Sequence, residues 1–141
     1  EIDYLIIDLP PGTGDVQLTL AQNSRLTGSI IISTPQDVAL IDARKGINMF
    51  KKVNVPIHGI VENMSYFICD NCEQKHYIFS NGGVKKEAKN FNIPYLGELP
   101  LDKDLRILSD EGIPSCINNS NSLISKIYLE IANKIISSNN T

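Results

Sequence analysis

The feature that most restricts the fold of this chain is a set of short, almost continuous apolar runs, each followed by turn residues and a helical pattern. Tyr4-Leu5-Ile6-Ile7, Ser29-Ile30-Ile31-Ile32 and Pro56-Ile57-His58-Gly59-Ile60-Val61 are runs of this kind, and Tyr95-Leu96-Gly97 is a shorter fourth. Unbroken apolar runs mark strands covered on both faces. Helical patterns lie between and after them. Asp15 is placed to cap a helix over Val16 to Ala21, and Asp37 stands near the start of a helix with a stripe of Val38, Ile41, Ile47 and Phe50. Further helices are expected over Val84 to Phe91 and Leu105 to Leu108. A terminal helix carries Leu123, Ile127, Ile131 and Ile135 at four-residue spacing. Strands alternating with helices predict an α/β fold: a mostly parallel sheet with helices on both faces. Residues 65–80 break the alternation and read as an insertion, a small hairpin bearing two cysteines.

Such a sheet gathers its ligands at the carboxyl ends of its strands. That directs attention to Asp8, Thr34, Asn63 and Pro100. Asp8 follows four apolar residues, the pattern of a strand end that fixes a carboxylate for Mg²⁺ on a nucleotide. The same pattern also serves as an ordinary loop start. Pro10 and Pro11 stiffen the next loop, and Gly12 and Gly14 allow backbone N–H groups to approach a phosphate. Asn63 offers both a donor and an acceptor to a purine edge, or satisfies its own backbone at a loop start.

Composition narrows the function classes. With 13 basic and 16 acidic residues the net charge is −3, so nothing favours nucleic acid as a partner. No apolar run approaches the ~20 residues that cross a bilayer, and no membrane partner is expected. The terminal helix has only Lys126 and Lys134 as basic residues, too few for an anionic membrane surface. No targeting segment is visible, which points to the cytoplasm, although an N-terminal portion missing from this sequence would be where such a signal lies. Opening on an apparent central strand without Met predicts that such a portion is indeed missing, and that the isolated chain is poorly soluble. No Ser/His/Asp triad or glycosidase-like carboxylate pair is present.

Phe67-Ile68-Cys69-Asp70-Asn71-Cys72 contains a C-x-x-C pair, whose spacing lets two thiolates meet one metal ion or cluster edge. Tyr66, Phe67, Tyr77 and Phe79 suit two short strands with the cysteines at their tip. Four readings are open: a redox pair, a zinc site, two free thiols or an iron–sulfur site. Zinc would take Cys69, Cys72 and His76, three ligands, with a fourth imported; His76 otherwise reads as a half-exposed hairpin residue. Cys116, in Ile113-Pro114-Ser115-Cys116-Ile117, reads as a small buried hydrophobe. His58 reads as packed against a helix.

Asp8-Leu9-Pro10-Pro11-Gly12-Thr13-Gly14-Asp15 resembles the switch region of Mrp/ApbC-type iron–sulfur cluster carriers, within the MinD/ParA branch of P-loop ATPases. Ser33 to Leu40, Val61 to Tyr66 and Gly97 to Asp102 match the same family in order. The resemblance implies that this chain is the C-terminal part of one P-loop NTPase domain. It implies further that Asp8 helps hold Mg²⁺, Gly12 lies near the γ-phosphate of ATP, and Asn63 reads the adenine. It also implies that Cys69 and Cys72 bridge a [4Fe–4S] cluster across a homodimer, destined for apo iron–sulfur proteins. Two thiolates cannot complete a four-cysteine set, and a two-fold axis would supply the other two. The glycine-rich loop with its Lys and Ser/Thr is not in these 141 residues, so ATP hydrolysis is expected of the intact parent and not of this chain. Alternatives from other classes are a MinD/ParA-like spatial-organising ATPase and a zinc module on an α/β domain.

Overall fold

The computed structural model describes residues 2–10 and 14–139. Three parallel strands form the sheet: β1 (Ser29–Ser33), β2 (Ile57–Glu62) and β5 (Tyr95–Glu98), in the order β1-β2-β5. Two short antiparallel strands, β3 (Phe67–Ile68) and β4 (Lys75–His76), make a separate hairpin. The helices are α1 (Asp15–Asn23), α2 (Asp37–Lys52), α3 (Gly83–Phe91), α4 (Lys103–Asp110), α5 (Ser115–Asn118) and α6 (Leu123–Asn139).

Side chains that alternate along each strand feed two cores on opposite faces. Ile31 and Ile60 turn towards α2 and α3, where Leu40, Ala43, Ile47, Phe50, Val84 and Ala88 are buried with them. Val61, Leu96 and Leu99 turn the other way and meet Ile131, with Ile30, Ile127 and Ile135 alongside. The layered α/β architecture expected from the sequence is therefore present, with helices on both faces. Gly59 lets β5 approach β2: its φ is +154°, and a Cβ there would stand 2.6 Å from the Pro94 carbonyl oxygen and from Leu96 Cγ. His58 closes the α6 side, filling the space over Gly28 and standing 3.3 Å from Ser138 Oγ.

Several local expectations are corrected. Tyr4–Ile7 is not a strand: no described segment pairs with it, and Leu5 and Ile6 are each 77% exposed. A strand exists only where a neighbour completes its ladder. On α2 the buried stripe is Leu40, Ala43, Ile47 and Phe50, a cleaner 3.6-residue period; Val38 and Ile41 lie exposed on another face. Asp15 does not cap α1. Gly14 occupies the cap, and the Asp15 carboxylate sits in the first turn, where it meets the positive end of the helix dipole. Asp102 does cap α4, accepting from the Leu105 N–H at 2.7 Å. Among the described residues no helix is long and apolar enough to cross a membrane.

Candidate metal centre and strand-end site

Parallel register brings the carboxyl ends of the strands level, with Ser33 beside Glu62 and Glu62 beside Glu98. The Asn63 N–H donates to the Ser33 carbonyl at 2.8 Å, so Asn63 begins the loop directly above the sheet. Its Oδ1 accepts from the Met64 N–H at 2.9 Å, the local satisfaction that a loop-start Asn offers. Asp8 is exposed in an irregular segment, where the sequence predicted a rigid strand end. Among the described residues no polar group is bonded to its carboxylate. The segment is held just beyond Asp8, by Leu9 packed on the first core and by Gln17 Nε2 donating to the Pro10 carbonyl at 2.6 Å. Gly12 lies outside the described residues.

The hairpin grows from this same strand-end edge. The Ser65 N–H donates to the Leu99 carbonyl at 2.9 Å and the Leu101 N–H to the Tyr66 carbonyl at 2.7 Å. Sequence reading passed over the group that fixes this exit: Glu62, 1% exposed. Its carboxylate accepts from Ser65 Oγ at 2.5 Å and from the Val84 N–H at 2.9 Å, joining β2, the hairpin stem and the first turn of α3. The sequence signal for it is a lone acid at the end of an apolar strand, inside the Val61 to Tyr66 motif. Lys75 does similar work on β4. Its Nζ lies 3.8 Å from the centre of the Tyr66 ring and 3.5 Å from Glu98 Oε1. Tyr77 packs edge-on against Tyr66, with ring centres 6.4 Å apart.

At the tip the chain reverses through hydrogen bonds from the Cys69 N–H to the Gln74 carbonyl and from the Glu73 N–H to the Cys69 carbonyl, with Glu73 at φ 57°. The Cys69 thiol is held below its ordinary value, first by the Cys72 backbone N–H and then by that of Asn71, against partial burial and the Asp70 charge. Both N–H groups favour a thiolate over a thiol. Lys103 Nζ pairs with Asp70 at 3.0 Å and ties the tip to α4. The donor atoms of Cys69, Cys72 and His76 lie within 4.8 Å of one another, with Cys72 Sγ 3.7 Å from His76 Nε2. A turn that presents two sulfurs and an imidazole nitrogen to water suits a thiophilic metal. A redox pair at a helix start is not what forms here. Cys116 is apart from this group. It is half-buried beside a 360 Å³ hollow shared with Leu105, Ile113, Pro114 and Tyr128.

A parallel sheet with its loops gathered at one edge, and a cysteine hairpin rising from that edge, define a P-loop NTPase type of α/β domain with a cysteine-bearing appendage. The chain belongs to the family described as ParA: NUBPL iron-transfer P-loop NTPase, which it matches over residues 1–136. It is 51% identical over 132 residues to the iron-sulfur cluster carrier protein of Pseudomonas fragi, covering 94% of this chain and 46% of that one. The structure of a nucleotide-binding protein from Archaeoglobus fulgidus, in complex with ADP and with cobalt found in it, superposes with a TM-score of 0.71 at 40% identity. That match covers 89% of this chain and 54% of the other. The cell division ATPase MinD of Pyrococcus furiosus shares the fold, with a TM-score of 0.61 at 24% identity over 79% of this chain and 43% of its own. The chain spans less than half the length of the curated relatives it matches.

Proposed function

We propose that the protein works as an iron–sulfur cluster carrier whose cargo, a [4Fe–4S] cluster, is held by Cys69 and Cys72 and by the same two residues of a second copy. The observation that carries this reading is the convergence of two sulfurs at the exposed tip of a braced hairpin, in a chain of the iron-transfer family. A site at a hairpin tip is open to a partner. Two thiolates per copy hold a cluster loosely enough for it to pass to an apo-protein. The backbone N–H groups of Cys72 and Asn71 that lower the Cys69 thiol favour its thiolate form, the form that binds a cluster.

Nucleotide binding belongs to the same reading, for the intact protein. Asp8 would orient Mg²⁺, Gly12 would approach the γ-phosphate and Asn63 would face the adenine with its amide. The intact protein would hydrolyse ATP. The relative from Archaeoglobus fulgidus, solved with ADP, and the shared strand-end edge support this assignment. A spatial-organising ATPase is less well supported. Of the two lysines on α6, Lys134 donates to the Leu96 carbonyl at 2.6 Å and is taken up by the fold. On this reading residues 65–80 are a metal-binding insertion in one P-loop NTPase domain.

Replacing both Cys69 and Cys72 with Ala in the intact protein, reconstituted without oxygen, tests the assignment. Loss of bound iron and of the broad visible absorbance, with nucleotide binding kept, is expected. A full iron complement in the double variant would overturn it.

A further inference from the structure

We propose that the hairpin of a single copy is itself a chelate for one divalent, tetrahedral-seeking ion of the Zn²⁺ type, with His76 as third protein ligand beside Cys69 and Cys72. This rests on the hairpin being a metal site but not on the cluster.

Hairpin register explains why the three donors meet. Phe67 pairs with His76 and Ile68 with Lys75, while the Cys69 N–H reaches the Gln74 carbonyl. Side chains alternate along a strand, so Cys69 and His76 share one face and Lys75 takes the other. Lys75 is clamped there by the Tyr66 ring and Glu98, which fixes the roll of β4 and keeps His76 turned towards the sulfurs. Cys72 then enters from the turn.

The Cys72–His76 separation is that of two ligands on one ion. An ion about 2.3 Å from sulfur and 2.0–2.1 Å from nitrogen at tetrahedral angles places those two donors roughly 3.6 Å apart. Cys72 Sγ and His76 Nε2 stand 3.7 Å apart. The donor set selects the ion: two sulfurs and an imidazole suit Zn²⁺ and its neighbours and disfavour Mg²⁺ and Ca²⁺, which seek oxygen. The ion takes both sulfurs as thiolates and the imidazole through its lone pair, so any proton still on a sulfur leaves to solvent on binding. With three protein donors the fourth position stays open to water, and Cys72 and His76 are both exposed. No second copy is required.

Anaerobic titration of the reduced, metal-free, full-length protein with Co²⁺ tests this. One Co²⁺ per copy is expected, without dimer formation, with the intense visible bands of tetrahedral cobalt and thiolate-to-metal charge transfer. His76→Ala should weaken Co²⁺ at least about tenfold, since partners one shell further out already contribute about 10–100-fold. It should also shift the visible bands, and free imidazole should restore them. His76 is exposed, so the fold should survive its loss. Wild-type affinity and spectrum in H76A, or one Co²⁺ per two copies, would overturn the inference. A wild-type protein that takes up a cluster but no Co²⁺ would also overturn it while leaving the carrier reading intact. Three-donor Co²⁺ binding in a protein that cannot be loaded with a cluster would do the reverse.

Discussion

Glu62 does the most structural work of any residue near the site. It is the hinge post between the sheet, the first turn of α3 and the stem of the cysteine hairpin. Replacing it with Leu would strand the Val84 N–H, at roughly 1–3 kcal/mol for a buried group without a partner, and leave the Ser65 hydroxyl only its longer bond to Glu98 Oε2 at 3.4 Å. Glu62→Gln keeps one acceptor and should lose less. Urea unfolding of the two variants is the check: the Leu variant should be clearly the weaker, and equal stability would remove Glu62 from this role. The cysteines were legible in the sequence because C-x-x-C spacing is itself a chelating geometry. Glu62 was not, because a strand end followed by Asn reads the same whether its acid faces water or is walled in by a helix that arrives more than twenty residues later. His76 was half legible. Its distance along the chain from Cys72 was plain, but the strand register that turns it towards the sulfur was not.

The two helices α2 and α3 meet through a charged contact that hydrophobic periodicity does not reveal. Arg44 on α2 donates to Glu87 on α3 from Nε at 2.9 Å and from its terminal nitrogen at 3.0 Å, and the carboxylate side chain is only 6% exposed. The Arg44 hydrogen bonds hold the Glu87 carboxyl below its ordinary value of 4.5, against the effect of burial. A carboxyl depressed in the folded state adds stability that is complete above the unfolded value and is lost as pH falls through the folded one. Thermal melts of the wild type and Glu87→Gln should therefore differ by a constant amount near neutrality, and the gap should close in acid. A pH-independent gap would mean that packing, not charge, joins α2 to α3. The helices themselves were largely legible: α3 and α4 lie where the sequence put them, with ends moved by one or two residues, while α6 runs on to Asn139, past the stripe that ends at Ile135, and the short α5 carries no apolar period to announce it. The stripe on α2 was not. Val38 and Ile41 are as apolar as Leu40 and Ile47, and only the position of the sheet decides which pair is buried.

Across the whole molecule, the sheet described here leaves much apolar surface in water. Besides Leu5 and Ile6, Ile32 is 58% and Val38 70% exposed, and β1 is an edge strand among the described residues. Exposed edges and contiguous apolar faces drive association. The 141-residue chain should self-associate in sizing experiments and bind a hydrophobic dye, and Leu5→Lys with Ile6→Lys should reduce both. A monodisperse monomer that binds no dye would contradict this. The overall α/β architecture was legible because alternating runs and helices admit few other topologies. The fate of Tyr4–Ile7 was not, because an apolar run states that a strand would be buried without stating that a neighbour is there to pair with it.

On the proposed reading, two copies of the intact protein share one cluster through Cys69 and Cys72. Native mass spectrometry of the anaerobically reconstituted intact protein tests it most directly. Paired copies carrying four irons and four sulfides, reverting to single copies when Cys69 and Cys72 are replaced with Ala, are the expected result. A complete cluster on a single copy, or pairs that form without iron, would contradict it.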